Sequence, residues 1–229
     1  MKNSWKYPLI QTILIILWNQ VIISPFKAVS LIFHKLGHAL AAAIFGFGLP
    51  AIGTVFRNSG DKAFSGGNWI ANFIIANGGY ISSILFCLLI FSLKKTKVRK
   101  FLLGSIAIIY IVFSVAFASS VGTMSIALIF SLIVILVLMI HMDSIHDLML
   151  DIIGMSMAAY VIYDTFVDTI LLRLNNRFSI VKSWSANPPG DIVRLVELTG
   201  FPVIVWGIIW LVISVVFVNI LLIKVISKR

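Results

Sequence analysis

The stretch Leu31-Ile32-Phe33-His34-Lys35-Leu36-Gly37-His38-Ala39-Leu40-Ala41 sets two histidines and a lysine inside an apolar run. In a helix, residues four apart lie on one face a single turn from each other, so His34 and His38 point their imidazoles the same way. Two nitrogens so placed are what one metal ion requires of a helix. Ionisable groups in an apolar run are costly at membrane depth, about 2.5–3.5 kcal/mol each near the centre, so they have a partner or a task.

The composition around this stretch is that of a membrane protein. Of 229 residues, 60% are hydrophobic and 11% charged, with a mean hydropathy of +1.08. A soluble domain is nearer half apolar and a quarter charged. The chain therefore reads as one polytopic membrane domain, residues 1–229. The net charge of +10 does not describe a nucleic-acid binder, because five cations (Lys94, Lys95, Lys97, Arg99, Lys100) share one short loop, 94–100, between apolar runs. Such a cluster is a cytoplasmic topology signal. The lone Cys87 excludes an internal disulfide. Lys2 and Lys6 precede an apolar segment without a small-x-small cleavage site, so an uncleaved first helix is expected.

About seven apolar runs of spanning length follow along the chain. The first, 8–26, carries Asn19 and Gln20, amides suited to bonding a neighbouring helix. The second, 27–48, holds the histidines on a helix rich in small residues. The polar loop 49–67 contains Asn58-Ser59-Gly60-Asp61, a turn signal between short β-prone pieces, and a hairpin-like loop is expected there. The run 68–93 contains Asn77-Gly78-Gly79-Tyr80. Runs 101–118 and 124–140 lack ionisable groups and are assigned scaffold roles. The segment His141-Met142-Asp143-Ser144-Ile145-His146-Asp147 reads as a solvated loop. Run 148–172 carries Asp164 and Asp168 at helical spacing beside Tyr163. The polar segment 175–200 includes Asn187-Pro188-Pro189-Gly190-Asp191, with Asp191 expected to cap a short helix ending at Gly200. In the last run, 201–224, Trp206 and Trp210 share a face suited to a membrane interface. The expected fold is an all-α integral membrane protein. It is a polytopic bundle of about six to seven transmembrane helices, with a short hairpin-like loop after the second. Strict alternation of seven spans would put Lys2 and Lys6 opposite the basic loop, against the positive-inside rule, unless one early run does not cross.

At the histidines the chain resembles the M50 metallopeptidases, the site-2-protease group, and in particular their M50B-like branch. Phe33-His34 to Leu36-Gly37-His38-Ala39-Leu40-Ala41 fits that family's His-Glu-Leu-Gly-His-Ala-Leu-Ala signature except at Lys35. Asn77 through Ser83 resembles its Gly-Tyr-x-Gly-Ser helix, Tyr163-Asp164 a late intramembrane aspartate, and Asp191 through Pro202 with Trp206-Gly207 its closing segment. The resemblance implies zinc held by His34, His38 and an aspartate, and cleavage of transmembrane helices of membrane-protein substrates in a bacterial cytoplasmic membrane. Asp164 is the expected third ligand because it sits in a spanning run. Asp191 and Asp168 are the alternatives. Asn77, Gly78 and Gly79 are the expected substrate-facing positions.

Lys35 occupies the general-base position of that signature. A base of this kind supplies roughly 10²–10⁴-fold in rate. An ammonium has no lone pair with which to take a proton. Beside a dication at about 6 Å, it would repel by on the order of 5 kcal/mol at an effective dielectric of about 20. Glu197 is the only glutamate in the chain. The expected function is an intramembrane zinc metalloprotease-like protein with impaired or no proteolysis. The alternatives are a pseudoprotease that binds membrane helices, or a small transporter with His34, His38, Asp164 and Asp168 as an ion relay.

Overall fold

The computed structural model describes residues 5–57, 68–117, 121–140, 142–179, 181 and 188–227, with the backbone alone for 221–227. Every element among them is helical: α1 (Lys6–Ile16), α2 (Ser24–Ala42), α3 (Pro50–Arg57), α4 (Trp69–Leu93), α5 (Arg99–Phe117), α6 (Val121–Ile140), α7 (Asp143–Ile162), α8 (Leu172–Phe178), α9 (Gly190–Thr199) and α10 (Val203–Ser227). Among the described residues, six helices are long and apolar enough to cross a membrane: α2 with its flanking turns, α4, α5, α6, the continuous helix Asp143–Phe178, and α10.

The first apolar run is not among the six. α1 has 11 residues, which at helical rise is about 16 Å, half of what a bilayer core requires. This settles the topology. Lys6, at the start of α1, and Lys94, at the end of α4, grip the two oxygens of one buried carboxylate, Asp151 on α7, at 2.6 and 2.5 Å. Arg99, at the start of α5, pairs with Asp143 at 2.7 Å and Asp147 at 3.3 Å. The N-terminal helix, the basic loop and the start of α7 thus share one end of the bundle. Six crossings bring the end of α10 to the same side, as the positive-inside rule asks.

The centre of the bundle is the antiparallel crossing of α2 and α4. A Cβ on Gly37 would overlap Ser82 Oγ and the Gly78 carbonyl oxygen, so only glycine lets these backbones approach as they do. Ser82 Oγ also donates to the Phe33 carbonyl at 2.9 Å, tying α4 to α2. α7 closes the other side through Ser30 and Ser156, whose hydroxyls are 2.9 Å apart. Asn19 donates to Tyr163 Oη at 2.7 Å, the inter-helix amide bond expected of it.

Three expectations change. Residues 50–57 form a helix, α3, where a loop with β-prone pieces was expected. Phe56 stacks on Phe117 at 5.2 Å and also packs on Phe113, and this apolar seat favours a helix over a hairpin. The turn signal at 58–67 lies outside the described residues, as do His141 and residues 182–187. Trp206 and Trp210 are buried, not interfacial; they pack with Ile192, Leu195 and Tyr80 in a second apolar cluster. Asp191 lies within the first turn of α9 and does not cap it, since Pro189 holds the cap position. α9 ends at Gly200 in the left-handed conformation (φ 73°), whose N–H bonds the Val196 carbonyl at 2.8 Å.

Candidate metal centre

α2 carries His34 and His38 on its buried face toward α4, as their spacing requires. A hydrogen-bond partner behind each ring fixes its orientation. His38 Nδ1 lies 2.7 Å from the Ile75 carbonyl oxygen. A carbonyl only accepts, so Nδ1 carries the hydrogen and Nε2 keeps its lone pair. His34 Nδ1 lies 3.3 Å from Ser83 Oγ. That hydroxyl donates its one hydrogen to the Gly79 carbonyl at 3.0 Å, so it accepts from His34 Nδ1. His34 Nε2 therefore also presents a lone pair. Backbone carbonyls and hydroxyls behind metal-ligating histidines act in this way, setting tautomer and ring orientation.

The third group comes from the polar segment. Pro188-Pro189 leads in extended and α9 begins at Gly190, packed on α4 through Ile192 and Leu195. This seat brings Asp191, buried, onto the histidine face of α2. Asp191 Oδ2 is 2.6 Å from His34 Nε2 and 3.1 Å from His38 Nε2, and the two Nε2 atoms are 3.2 Å apart. Burial alone would push the Asp191 carboxyl up. When the imidazoles carry a proton on Nε2, the charge of His38 and His34 and their hydrogen bonds outweigh burial and hold the carboxyl well below the usual carboxylate range. Its place in the first helical turn favours the anion as well.

Three acceptor atoms converge here with no hydrogen of their own between them. Such a cluster calls for a proton or a cation at its centre. Two imidazole nitrogens and one carboxylate oxygen are a zinc donor set that leaves a fourth position open, and the residues present fit that ion. Gly79 completes the mouth. A Cβ there would overlap Nε2 of both histidines, so the bare backbone of α4 keeps the space in front of the nitrogens clear.

The other expected site residues lie elsewhere. The Asp164 carboxylate accepts from Tyr80 Oη at 2.5 Å and is not in the histidine cluster. Asp168 stands near Tyr163 and Lys27. The structure thus brings Asp191 to the imidazoles, where Asp164 was expected. Helical spacing put Asp164 and Asp168 on one face, but residues Tyr163–Leu171 form a π-helix, which breaks that phase. Asn77 is engaged within the protein, donating to the Phe73 carbonyl at 2.8 Å and accepting from Trp210 Nε1 at 3.1 Å. Gly78 lies at the Gly37 crossing. Lys35 lines a cavity with residues of α3, α5 and α6 and is not one of the three clustered donors. Glu197 pairs with Arg194 at 3.2 Å and is exposed.

The sequence reading gave no site role to two residues. The rings of Tyr80 and Tyr160 flank His34 at 5.2 and 4.7 Å between centroids. Tyr80 followed the glycine pair in a quoted motif, but nothing in its spacing marked contact with a histidine on another helix.

A family model described as Peptidase M50B-like matches residues 9–221. The chain belongs to that family. The match covers nearly the whole sequence, including α2, α4, α7 and α9. M50 proteins are zinc metalloproteases of the membrane, so this M50B-like chain is an integral membrane protein of a site-2-protease-like metalloprotease family. No curated protein and no solved structure matches it.

Proposed function

We propose that this M50B-like protein holds zinc through His34, His38 and Asp191, and that Lys35 leaves it with impaired or no proteolytic activity. The observation that carries the reading is the convergence of three lone-pair atoms within 3.2 Å of one another, each oriented from behind or by its helix. Bound zinc would supply Lewis acidity toward a peptide carbonyl. The chain's own residues supply the rest. Ser83 and the Ile75 carbonyl hold the imidazoles in register, and Gly79 keeps the approach open. The position that bears the proton acceptor in the family signature bears an ammonium instead, and Glu197 is occupied elsewhere.

The natural partners of such a protein are transmembrane helices of membrane proteins, as substrates for residual cleavage or as clients that are bound and not cut. The membrane is a bacterial cytoplasmic one, with Lys6, Lys94 and Arg99 on the cytoplasmic face by the positive-inside rule.

Metal analysis of the purified protein tests the first half. About one zinc per chain, lost in His34→Ala and Asp191→Ala, is expected; a metal-free protein that stays folded and gains no zinc on titration sinks it. The second half is tested on a model transmembrane substrate. Cleavage that is absent or weak in the natural sequence and rises at least about 100-fold in Lys35→Glu is expected. Equal cleavage by both proteins would show that Lys35 does not limit the chemistry.

A further inference from the structure

At the end of the bundle that holds the basic loop, three aspartates answer three cations. Asp151 takes Lys6 and Lys94, and Asp143 and Asp147 take Arg99. The same loop carries three further cations, Lys95, Lys97 and Lys100. All three are exposed, and among the described residues none of their ammonium groups has an ion pair or a hydrogen bond. They stand as surplus positive charge on the connection between α4 and α5. Two apolar side chains alternate with them and fix their depth. Val98 is 48% exposed and Phe101 71% exposed, and Phe101 lies in the first turn of the spanning helix α5. Exposed apolar groups at the end of a spanning helix belong among acyl chains, and lysines beside them reach up to the head groups.

We propose that Lys95, Lys97 and Lys100 form a docking surface for anionic phospholipid head groups of the adjacent leaflet, with Val98 and Phe101 among the acyl chains beneath. Charge, depth and the short connection select this partner. The ammonium groups have no carboxylate of the chain to neutralise them, and phosphodiester head groups supply the opposite sign. The connection runs only from Lys94 to Val98 between two spanning helices, so its lysines cannot rise far from the bilayer. A topology signal counts every cation of the loop. The docking surface uses only those that the aspartates leave over, and so the two roles separate. Neither the histidine cluster nor a bound metal takes part.

The test uses the full-length protein in neutral detergent, with native mass spectrometry counting the lipids retained from equal additions of dioleoylphosphatidylglycerol and dioleoylphosphatidylcholine. A lysine at an anionic surface contributes on the order of fivefold in affinity, so a preference for the anionic lipid of at least about tenfold is expected. Replacing all three lysines by glutamine leaves Lys6, Lys94 and Arg99 on their aspartates and should bring the preference within about twofold of none. Replacing them by arginine should keep it. Arg173→Gln with Arg177→Gln, which removes two exposed cations from α8, should keep it too. If the glutamine variant does not fold, salt decides on the natural sequence: raising ammonium acetate from about 50 to about 500 mM screens exposed charges and should remove most of the preference. Equal retention of the two lipids, a preference unchanged in the folded glutamine variant or at high salt, or an equal loss in the α8 variant would overturn the proposal. Displacement of the anionic lipid by an equal concentration of glycerol phosphate would overturn it in favour of a soluble phosphate.

Discussion

One turn of α2 faces two unlike environments. On the side of His34 and His38, backbone meets backbone at Gly37 and Gly78, both imidazole Nδ1 atoms have partners, and an aspartate from α9 closes the cluster. On the side of Lys35, aromatic rings from α3 and α5 line a cavity that Lys35 lines as well. Each residue of a helix rotates 100° from the last, so adjacent positions in the motif answer to different neighbours. The two parts of the family signature are therefore separable. Close packing of α2 on α4, and of α9 on α4, preserves the ligand geometry. The base position borders another set of helices as well as the histidines, and a substitution there leaves that packing alone.

The largest test of this division sets two aspartates against each other. Asp191→Ala removes an atom of the cluster and should weaken zinc binding by more than about 100-fold, beyond the 10–100-fold of an outer-shell change. Asp164→Ala, which removes the carboxylate that accepts from Tyr80 Oη and leaves the three clustered donors in place, should retain stoichiometric zinc. Metal titration with a competing chelator reads both; equal losses would dissolve the distinction. Gly79→Ala comes next. Its methyl would collide with both Nε2 atoms, so zinc content should fall severely, whereas Gly104→Ala on α5, with open space around it, should behave as the parent. Ser83→Ala is milder. It deletes the acceptor behind His34 Nδ1, and an affinity loss of about 10–100-fold is expected with the fold intact. An unchanged affinity would mean the ring is oriented by Tyr80 and Tyr160 alone.

How much of this was legible follows from the kind of signal each part leaves. Hydropathy showed the helices and the membrane class, because spanning segments must be long and apolar. It overcounted at residues 8–26, where an apolar run breaks after Ile16 and only the break reveals that α1 is too short. His34 and His38 were legible because both lie on one regular helix, where spacing converts directly into direction. Their carboxylate was not. Asp191 lies 153 residues beyond His38 in a polar segment, and spacing carries no information across that distance. Its rival, Asp164, looked better only because it sat in a spanning run, a criterion of depth and not of contact. The π-helix at 163–171 erased the phase that would have shown where that face turns. The environment of Lys35 was equally hidden, since it is built by α3, α5 and α6 and none of them carries a motif.

The smallest expected effect on metal comes from the lysine side, and it is the strictest check that the two faces are independent. Phe56 anchors α3 by packing on Phe113 at 4.7 Å and on Phe117 at 5.2 Å. Phe56→Leu keeps an apolar side chain in the seat but loses two ring pairs, each about 0.5–1.5 kcal/mol beyond area burial. In a chain of this size that is a fall of a few degrees in melting temperature. Zinc affinity should stay within about twofold, because none of these rings touches His34, His38 or Asp191 and the crossing at Gly37 and Gly78 does not pass through α3. A melting shift together with a tenfold loss of zinc would show strain crossing α2 from the cavity to the ligands. The helix would then have to be treated as one element with a single response, and the preserved geometry of the histidines could no longer be explained by their own face alone.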